Sequence, residues 1–286
     1  MKKRVLLLGL VVLMVLTGCG TTEKETKTKE KDPDKLVLNI EDKKEDNIQE
    51  EQTDMQEQAS QPDGQSQAEE ANEQQPQKNG HLIAIDAGHQ ARGNFAMEPV
   101  GPGSSTRKAK VAGGATGVAS HVPEYKLTLA VSKKLQKELK ARGYKVYMIR
   151  TKNNVNISNK KRAQLANKSG ADIYIRIHAD SSNSRAVTGA SGLYPSKANR
   201  YVSKLSAKSK KLSSCLLKSY CKKTKIRNRG LVARDDLTGT NWSKIPVSLI
   251  EMGFLSNPSE DRKMQKSNFQ TKMAKGIADG IDAYFK

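Results

Sequence analysis

The chain has 286 residues, 50 Lys/Arg against 30 Asp/Glu, a formal net charge of +20 and three cysteines. With three thiols and no second pair spaced to share an ion or a redox couple, nothing suggests a cysteine metal cage or a thiol redox motif, and two unremarkable thiols at Cys215 and Cys221 are the favoured reading. The charge would suit nucleic acid, yet no nucleic-acid motif is present and few aromatic residues interleave with the cations. That leaves another polyanionic environment, or lysine-rich solvated helix faces with no partner at all.

In chain order, Met1-Lys2-Lys3-Arg4 precedes Val5 to Leu16, an apolar run of 12 residues. The run is too short to span a bilayer and reads as the core of an export signal over residues 1–18. Leu16-Thr17-Gly18-Cys19 resembles a bacterial lipoprotein processing box, which implies that Cys19 becomes the lipidated first residue of the mature chain. The alternative is an ordinary cleavable signal with an incidental cysteine. Two acyl chains on Cys19 give stable attachment, so an extracytoplasmic protein anchored to the cell membrane and facing the wall is expected. Residues 20–80 hold 17 Asp/Glu and 8 Lys/Arg, a net of −9, with many Gln and almost no aromatic residue. Such a segment buries too little apolar surface to offset its conformational entropy, so 19–80 is expected to be a disordered tether with a coil span on the order of 40 Å. Setting it and the three basic residues of the signal aside leaves 39 Lys/Arg and 13 Asp/Glu in 81–286, a net of +26. Export turns that charge away from nucleic acid and toward anionic wall polymers, wall carboxylates or lipid headgroups.

Residues 81–286 suffice for one single-core domain. Strands are predicted at Leu82 to Ala87, Lys145 to Arg150, Asp172 to His178 and Pro246 to Glu251. A helix is predicted over Tyr125 to Ala141, where Leu127, Val131, Leu135 and Leu139 recur every four residues. Further helices are expected at Ser158 to Lys168, Ala198 to Lys222 and Asn268 to Phe285. The alternation predicts an α/β domain, a mixed or mostly parallel central sheet covered by helices. Between the first strand and first helix, Ala91 to Val122 reads as a loop rich in Gly and small residues, longer than compact domains keep without a use. Cys215 and Cys221, six residues apart on a predicted helix, point to unlike faces and are expected to stay unbridged unless the helix ends between them.

Four histidines make the site tractable. His81 at the domain boundary and His121 in the loop read as surface residues. His89 follows the first strand and His178 ends another, the address at which sites gather in open α/β sheets. Glu124 starts the helix after the loop. Glu251 ends the apolar run "IPVSLIE", and a carboxylate finishing a buried strand is costly unless paired, metal-bound or catalytic. Gly253 is expected to turn the chain sharply after it, and Asn257-Pro258-Ser259-Glu260 to read as N-cap, first-turn proline and capping partner of another helix. Two His and two Glu at one sheet edge suit a catalytic zinc with a spare carboxylate to move protons. Spacing alone leaves this level with structural histidines beside a salt-bridged glutamate, since no HExxH pair is present.

The series "IAIDAGHQ", "PEYKLTLAVSKKL", "RAQLANKSGADIYIRIHAD" and "PVSLIEMGFLSN" resembles, in order and across nearly all of 81–286, the zinc-dependent N-acetylmuramoyl-L-alanine amidases of bacterial cell walls, amidase type 3. The resemblance implies one Zn²⁺ bound by His89, Glu124 and His178, with Glu251 as the catalytic glutamate. It also implies hydrolysis by zinc-activated water of the peptidoglycan amide between the lactyl group of N-acetylmuramic acid and the L-Ala of the stem peptide. The chain departs from many relatives in Arg176, where they carry Ser, in Asp180, where they carry Asn, and in a longer insert between His89 and Glu124. Arg176 shares a strand face with His178. It is expected to bind a substrate carboxylate or an acid behind the ligands, or to pair with an acid such as Asp86 for structure alone. Two other functions stay open: a zinc peptidase acting within wall peptides, and a non-catalytic wall-binding or activator lipoprotein.

Overall fold

The computed structural model describes residues 80–286. The expected export signal, the lipidated Cys19 and the tether lie outside the described residues. In chain order the elements are β1 (Leu82–Ala87), β2 (Asn94–Pro99), β3 (Arg107–Val111), α1 (Glu124–Ala141), β4 (Lys145–Met148), α2 (Asn159–Lys168), β5 (Ile173–Asp180), β6 (Ala190–Tyr194), α3 (Ser206–Thr224), β7 (Asn228–Ala233), α4 (Thr238–Asn241), β8 (Val247–Phe254), α5 (Pro258–Gln265) and α6 (Ser267–Phe285). Six strands form one sheet in the order β4-β1-β5-β8-β6-β7. β4, β1, β5 and β8 are mutually parallel, β6 runs antiparallel to β8, and β7 is parallel to β6. This is the mixed, mostly parallel sheet that the sequence predicts.

Both faces of the central strands are covered, which is why their sequences are nearly continuous apolar runs. On one face Ile83, Ile85, Ile173, Ile175, Ile177 and Ile250 pack against Leu127, Val131, Leu135 and Leu139 of α1, Leu212 and Leu216 of α3, and Ile277 and Ile281 of α6. Each such side chain fully removed from water contributes about 1.5–3 kcal/mol. On the other face Ala84, Tyr174 and Val247 meet Ala163 and Ala166 of α2. α6 lies between α1 and α3 and runs very close to α3: a Cβ at Gly280 would stand 2.6 Å from Leu216 Cα. α1 ends where Gly143, at φ 83°, turns the chain back and Tyr144 N–H donates to Leu139 O. Among the described residues no helix is long and apolar enough to cross a membrane, and Cys215 and Cys221 are free thiols on α3.

The structure departs from the sequence reading at five places. The 91–122 segment holds the antiparallel hairpin β2–β3. Sequence reading finds neither β6, "ASGLY", whose small residues carry no apolar alternation, nor β7, "NRGLVA", an edge strand with exposed ends. The helix expected from Ala198 starts at Ser206, after a single 3₁₀ turn over Ser203–Leu205. Gly253 does not turn the chain: β8 continues to Phe254, with a bulge that sets two residues of β5 against three of β8. Asn257 caps α5 as expected, accepting from Ser259 N and Glu260 N, but Glu260 is no reciprocal cap. Its carboxylate turns inward and accepts from Gly189 N at 2.8 Å and Phe254 N at 2.8 Å, fixing the end of β8.

Candidate metal centre and reaction site

β1 delivers Gly88 and His89 to the carboxyl edge of the sheet. Gly88 has no room for a side chain, since a Cβ there would lie 2.4 Å from the His178 ring. His89 adopts φ 57°, a left-handed conformation unusual for a residue with a Cβ. The chain is pinned in this turn by two buried arginines. Arg150 donates to Ala87 O at 2.8 Å and to Gly88 O at 3.0 Å. Arg162 donates to Ala87 O at 3.0 Å and His89 O at 2.9 Å.

The His89 ring is oriented by Ala112 O, 2.9 Å from Nδ1. A proton on Nδ1 leaves Nε2 as a lone pair facing Glu124 Oε2 at 3.2 Å. Two acceptors in that position need a proton or a metal cation between them. Glu124, in the first turn of α1 and 3% exposed, accepts from Ala115 N and Ala179 N, both at 3.0 Å, and its Oε1 lies 3.2 Å from His178 Nδ1. His178 Nε2 is buried with no hydrogen-bond partner among the described residues. Ligand atoms of His89, Glu124 and His178 all lie within 4.8 Å of one another. Two imidazoles, one carboxylate and an orphaned buried nitrogen fit a divalent metal.

Glu251 stands beside this trio, since His178 and Glu251 are cross-strand neighbours in β5 and β8. The residue as a whole is half-buried, yet its Oε2 is sealed from solvent and has no partner among the described residues. The two glutamates are driven in opposite directions. Burial pushes Glu124 up, but hydrogen bonds from His178 and His89 outweigh it and hold its carboxyl well below the usual range. Burial, then the charges of Glu124 and Asp180, push Glu251 well above that range, against weaker pulls from Arg176 and Arg234. His178 falls to about 4, through burial opposed by its hydrogen bond to Glu124, which keeps the imidazole neutral as a ligand requires. His89 is raised: burial lowers it, and the Glu124 carboxylate more than restores it.

The sequence model of the N-acetylmuramoyl-L-alanine amidase family matches residues 83–283. The chain belongs to this family. It is 30% identical over 208 residues to the germination-specific N-acetylmuramoyl-L-alanine amidase of Bacillus subtilis, covering 72% of this chain and 80% of that protein. It is 28% identical over 229 residues to a putative N-acetylmuramoyl-L-alanine amidase of Buchnera aphidicola, covering 71% and 96%. The crystal structure of N-acetylmuramoyl-L-alanine amidase from Clostridium difficile 630 superposes with a TM-score of 0.58 at 30% identity, over 72% of this chain and 96% of that one.

In this amidase Arg176 is 4% exposed and already engaged, with Nε 3.1 Å from Asp86 Oδ2 and a terminal nitrogen 2.8 Å from Asn159 Oδ1. Asp86 also takes Arg162 at 2.6 Å and the Tyr174 hydroxyl at 2.9 Å. The arrangement favours pairing with an acid over reach to a substrate. His81 stacks on Phe285 with ring centroids 3.8 Å apart, and His121 is exposed, so neither joins the amidase site. The 91–122 segment acquires a use: its hairpin is tied down by Glu98 Oε1 accepting from Lys160 N and by Trp242 donating to Pro99 O. Beyond β3 the chain carries Ala112 O to His89 and Ala115 N to Glu124. Sequence reasoning missed Arg150 and Arg162. The available signal for Arg162 was its place four residues before Ala166, on the inward face of α2, where an unpaired charge is costly.

Proposed function

We propose that His89, Glu124 and His178 hold one zinc ion and that Glu251 carries the proton in hydrolysis of the amide between the N-acetylmuramic acid lactyl group and L-Ala of peptidoglycan. When bound, zinc supplies Lewis acidity toward the scissile carbonyl and lowers the pKa of water toward about 7. The remaining work belongs to the chain. Glu251 takes the proton from the attacking water and returns it to the leaving L-Ala nitrogen, a task suited to a carboxyl whose proton affinity is raised. Glu124 stays ionised because two amides and two imidazoles surround it. Arg176 acts behind the ligands by balancing Asp86, which with Arg162 fixes the end of β1. The observation that carries the reading is the sealed, unpartnered Oε2 of Glu251 in register with His178.

The same proposal places the domain outside the cell, held to the membrane through lipidated Cys19, with 19–80 as its tether and peptidoglycan with its anionic polymers as its surroundings. Family membership supports a wall-facing location, and the lipid anchor and tether rest on the sequence of residues 1–80 alone. The deciding experiment is mass spectrometry of purified wall digested with the zinc-loaded protein. Intact stem peptides with a free L-Ala amine are expected. Cuts between amino acids of the stem would instead identify a peptidase, and no cut at all a non-catalytic wall protein.

A further inference from the structure

From Ser181 to Arg234 the chain carries fourteen Lys/Arg and no Asp or Glu, more than half of the net charge of the folded part. Solubility needs only mixed surface charge, and a long one-sign run opposes the compact state by self-repulsion. The run is also ordered in space. α3 packs on the sheet and along α6 through Ser209, Leu212, Ser213, Leu216 and Tyr220. At 100° per residue, Lys211, Lys218 and Lys222 fall on the opposite side within about 40° of one another, and Lys208 lies at the flank of that stripe, the four covering about 21 Å of helix. All four are exposed.

These cations are not consumed within the fold. Among the described residues, Lys223 is the α3 lysine with an ion pair, to Asp279 at 3.2 Å, and Lys211 merely donates to Tyr284 O at 3.0 Å. The neighbouring helices differ. On α1 and α6 the acids Glu138, Asp279 and Asp282 break the positive field and converge on Arg142.

The line also has a direction. Beyond Thr224 come Lys225, Arg227 and Arg229, all exposed. Arg227 O accepts from Ala190 N at 2.8 Å, and Ala190 precedes Ser191, the cross-strand neighbour of Glu251 in β6. The carboxyl end of α3 therefore arrives at the same sheet edge as the reaction site.

We infer that the outward face of α3, continued by Lys225, Arg227 and Arg229, is a docking track for a linear polyphosphodiester attached to the wall, which guides the glycan bearing it toward the Glu251 edge. A narrow stripe of cations running along the helix matches a linear polymer with one charge per repeat. The exposed large apolar side chains of the described residues are Phe95, Met97 and Val232, none of them on α3, so the face has nothing to insert into a bilayer. The wall as partner rests on the proposed function, but binding is read without turnover, so the two readings fail separately.

The test uses the full chain with Lys208, Lys218 and Lys222 all changed to Gln, beside a control with Lys133, Lys137 and Lys140 of α1 changed to Gln. Poly(glycerol phosphate) and vesicles containing anionic lipid serve as probes. Polymer binding should weaken roughly tenfold or more in the α3 variant, with a shallower salt dependence, and little in the control. Hydrolysis of walls stripped of phosphodiester polymer should stay unchanged, and that of unstripped walls should fall. Equal losses in both variants would reduce the effect to net charge and overturn the track. So would polymer binding that survives the α3 changes, or vesicle binding without polymer binding.

Discussion

Glu124 and Glu251 flank the same histidine, and the fold treats them in opposite ways. Glu124 receives two backbone amides and faces two imidazoles, so it is built to stay charged. Glu251 Oε2 receives nothing from the described residues, which fits the proton-carrying role proposed for it. Glu251→Gln keeps shape and removes the basic oxygen. Zinc content should stay near that of the parent while turnover falls by roughly 10²- to 10⁴-fold. Glu124→Ala should lose metal affinity and turnover together, with partial recovery in excess zinc. Metal analysis beside steady-state rates checks both, and a Glu251→Gln protein without zinc would reverse the assignments. At this scale the sequence points to His89, His178 and Glu251 because each breaks an apolar run, although β5 continues to Asp180 and β8 to Phe254 beyond them. It was illegible for Arg150 and Arg162, because a lone arginine in a strand end or a lysine-rich helix looks like a surface charge until its partner carbonyls are in place.

Among the elements, the junction of β1, β5 and α2 rests on one acid. Burial alone would raise the proton affinity of Asp86, and the guanidinium groups of Arg162 and Arg176 drive it well below the usual carboxylate range. A depressed folded-state pKa stabilises the fold above the unfolded value of about 4 and loses that contribution as pH falls further. Asp86→Asn leaves two buried guanidinium groups without a counter-charge, a cost of roughly 3–5 kcal/mol at neutral pH. Urea unfolding of both proteins should show the gap narrowing below about pH 4. The contact of α3 with α6 depends on shape instead. Gly280→Ala sets a Cβ 2.6 Å from Leu216 Cα, backbone that cannot swing aside. The helices must part, at about 1–3 kcal/mol, and the melting temperature should drop with little change in metal content. Helix periodicity disclosed α1 and α6 to within a residue. It could not disclose β6 and β7, which are strands only because β8 offers β6 an edge and β6 offers one to β7.

Across the whole molecule, charge divides the chain into a net −9 in residues 20–80 and +26 in 81–286. If 19–80 acts as a tether, deleting 20–80 should impair wall digestion by cells while leaving hydrolysis of soluble wall fragments intact. Cys19→Ala should release the protein from membranes. Fractionation and fragment assays on the two variants check these outcomes, and full membrane retention of Cys19→Ala would remove the anchor. Domain class and the sheet edge bearing the site were readable because strand ends and helix starts are local signals. The clamp supplied by the β2–β3 hairpin was not, since it depends on Glu98, Trp242 and the Ala112 carbonyl meeting partners remote in sequence.

The two amides holding Glu124 come from Ala115, whose carbonyl accepts from Glu124 N at 2.8 Å, and from Ala179 within β5. Metal is therefore expected to arrive at a folded receptor rather than to nucleate one. Each tenfold rise in free metal above its dissociation constant should then add about 1.4 kcal/mol to the unfolding free energy, visible as a melting temperature that climbs with the logarithm of concentration. Chelation should strip activity at once and leave the circular dichroism of the domain in place, and unfolding on chelation would contradict this. A centre that is emptied and refilled in position would let the working fraction of the protein track the free metal of its surroundings while the scaffold persists.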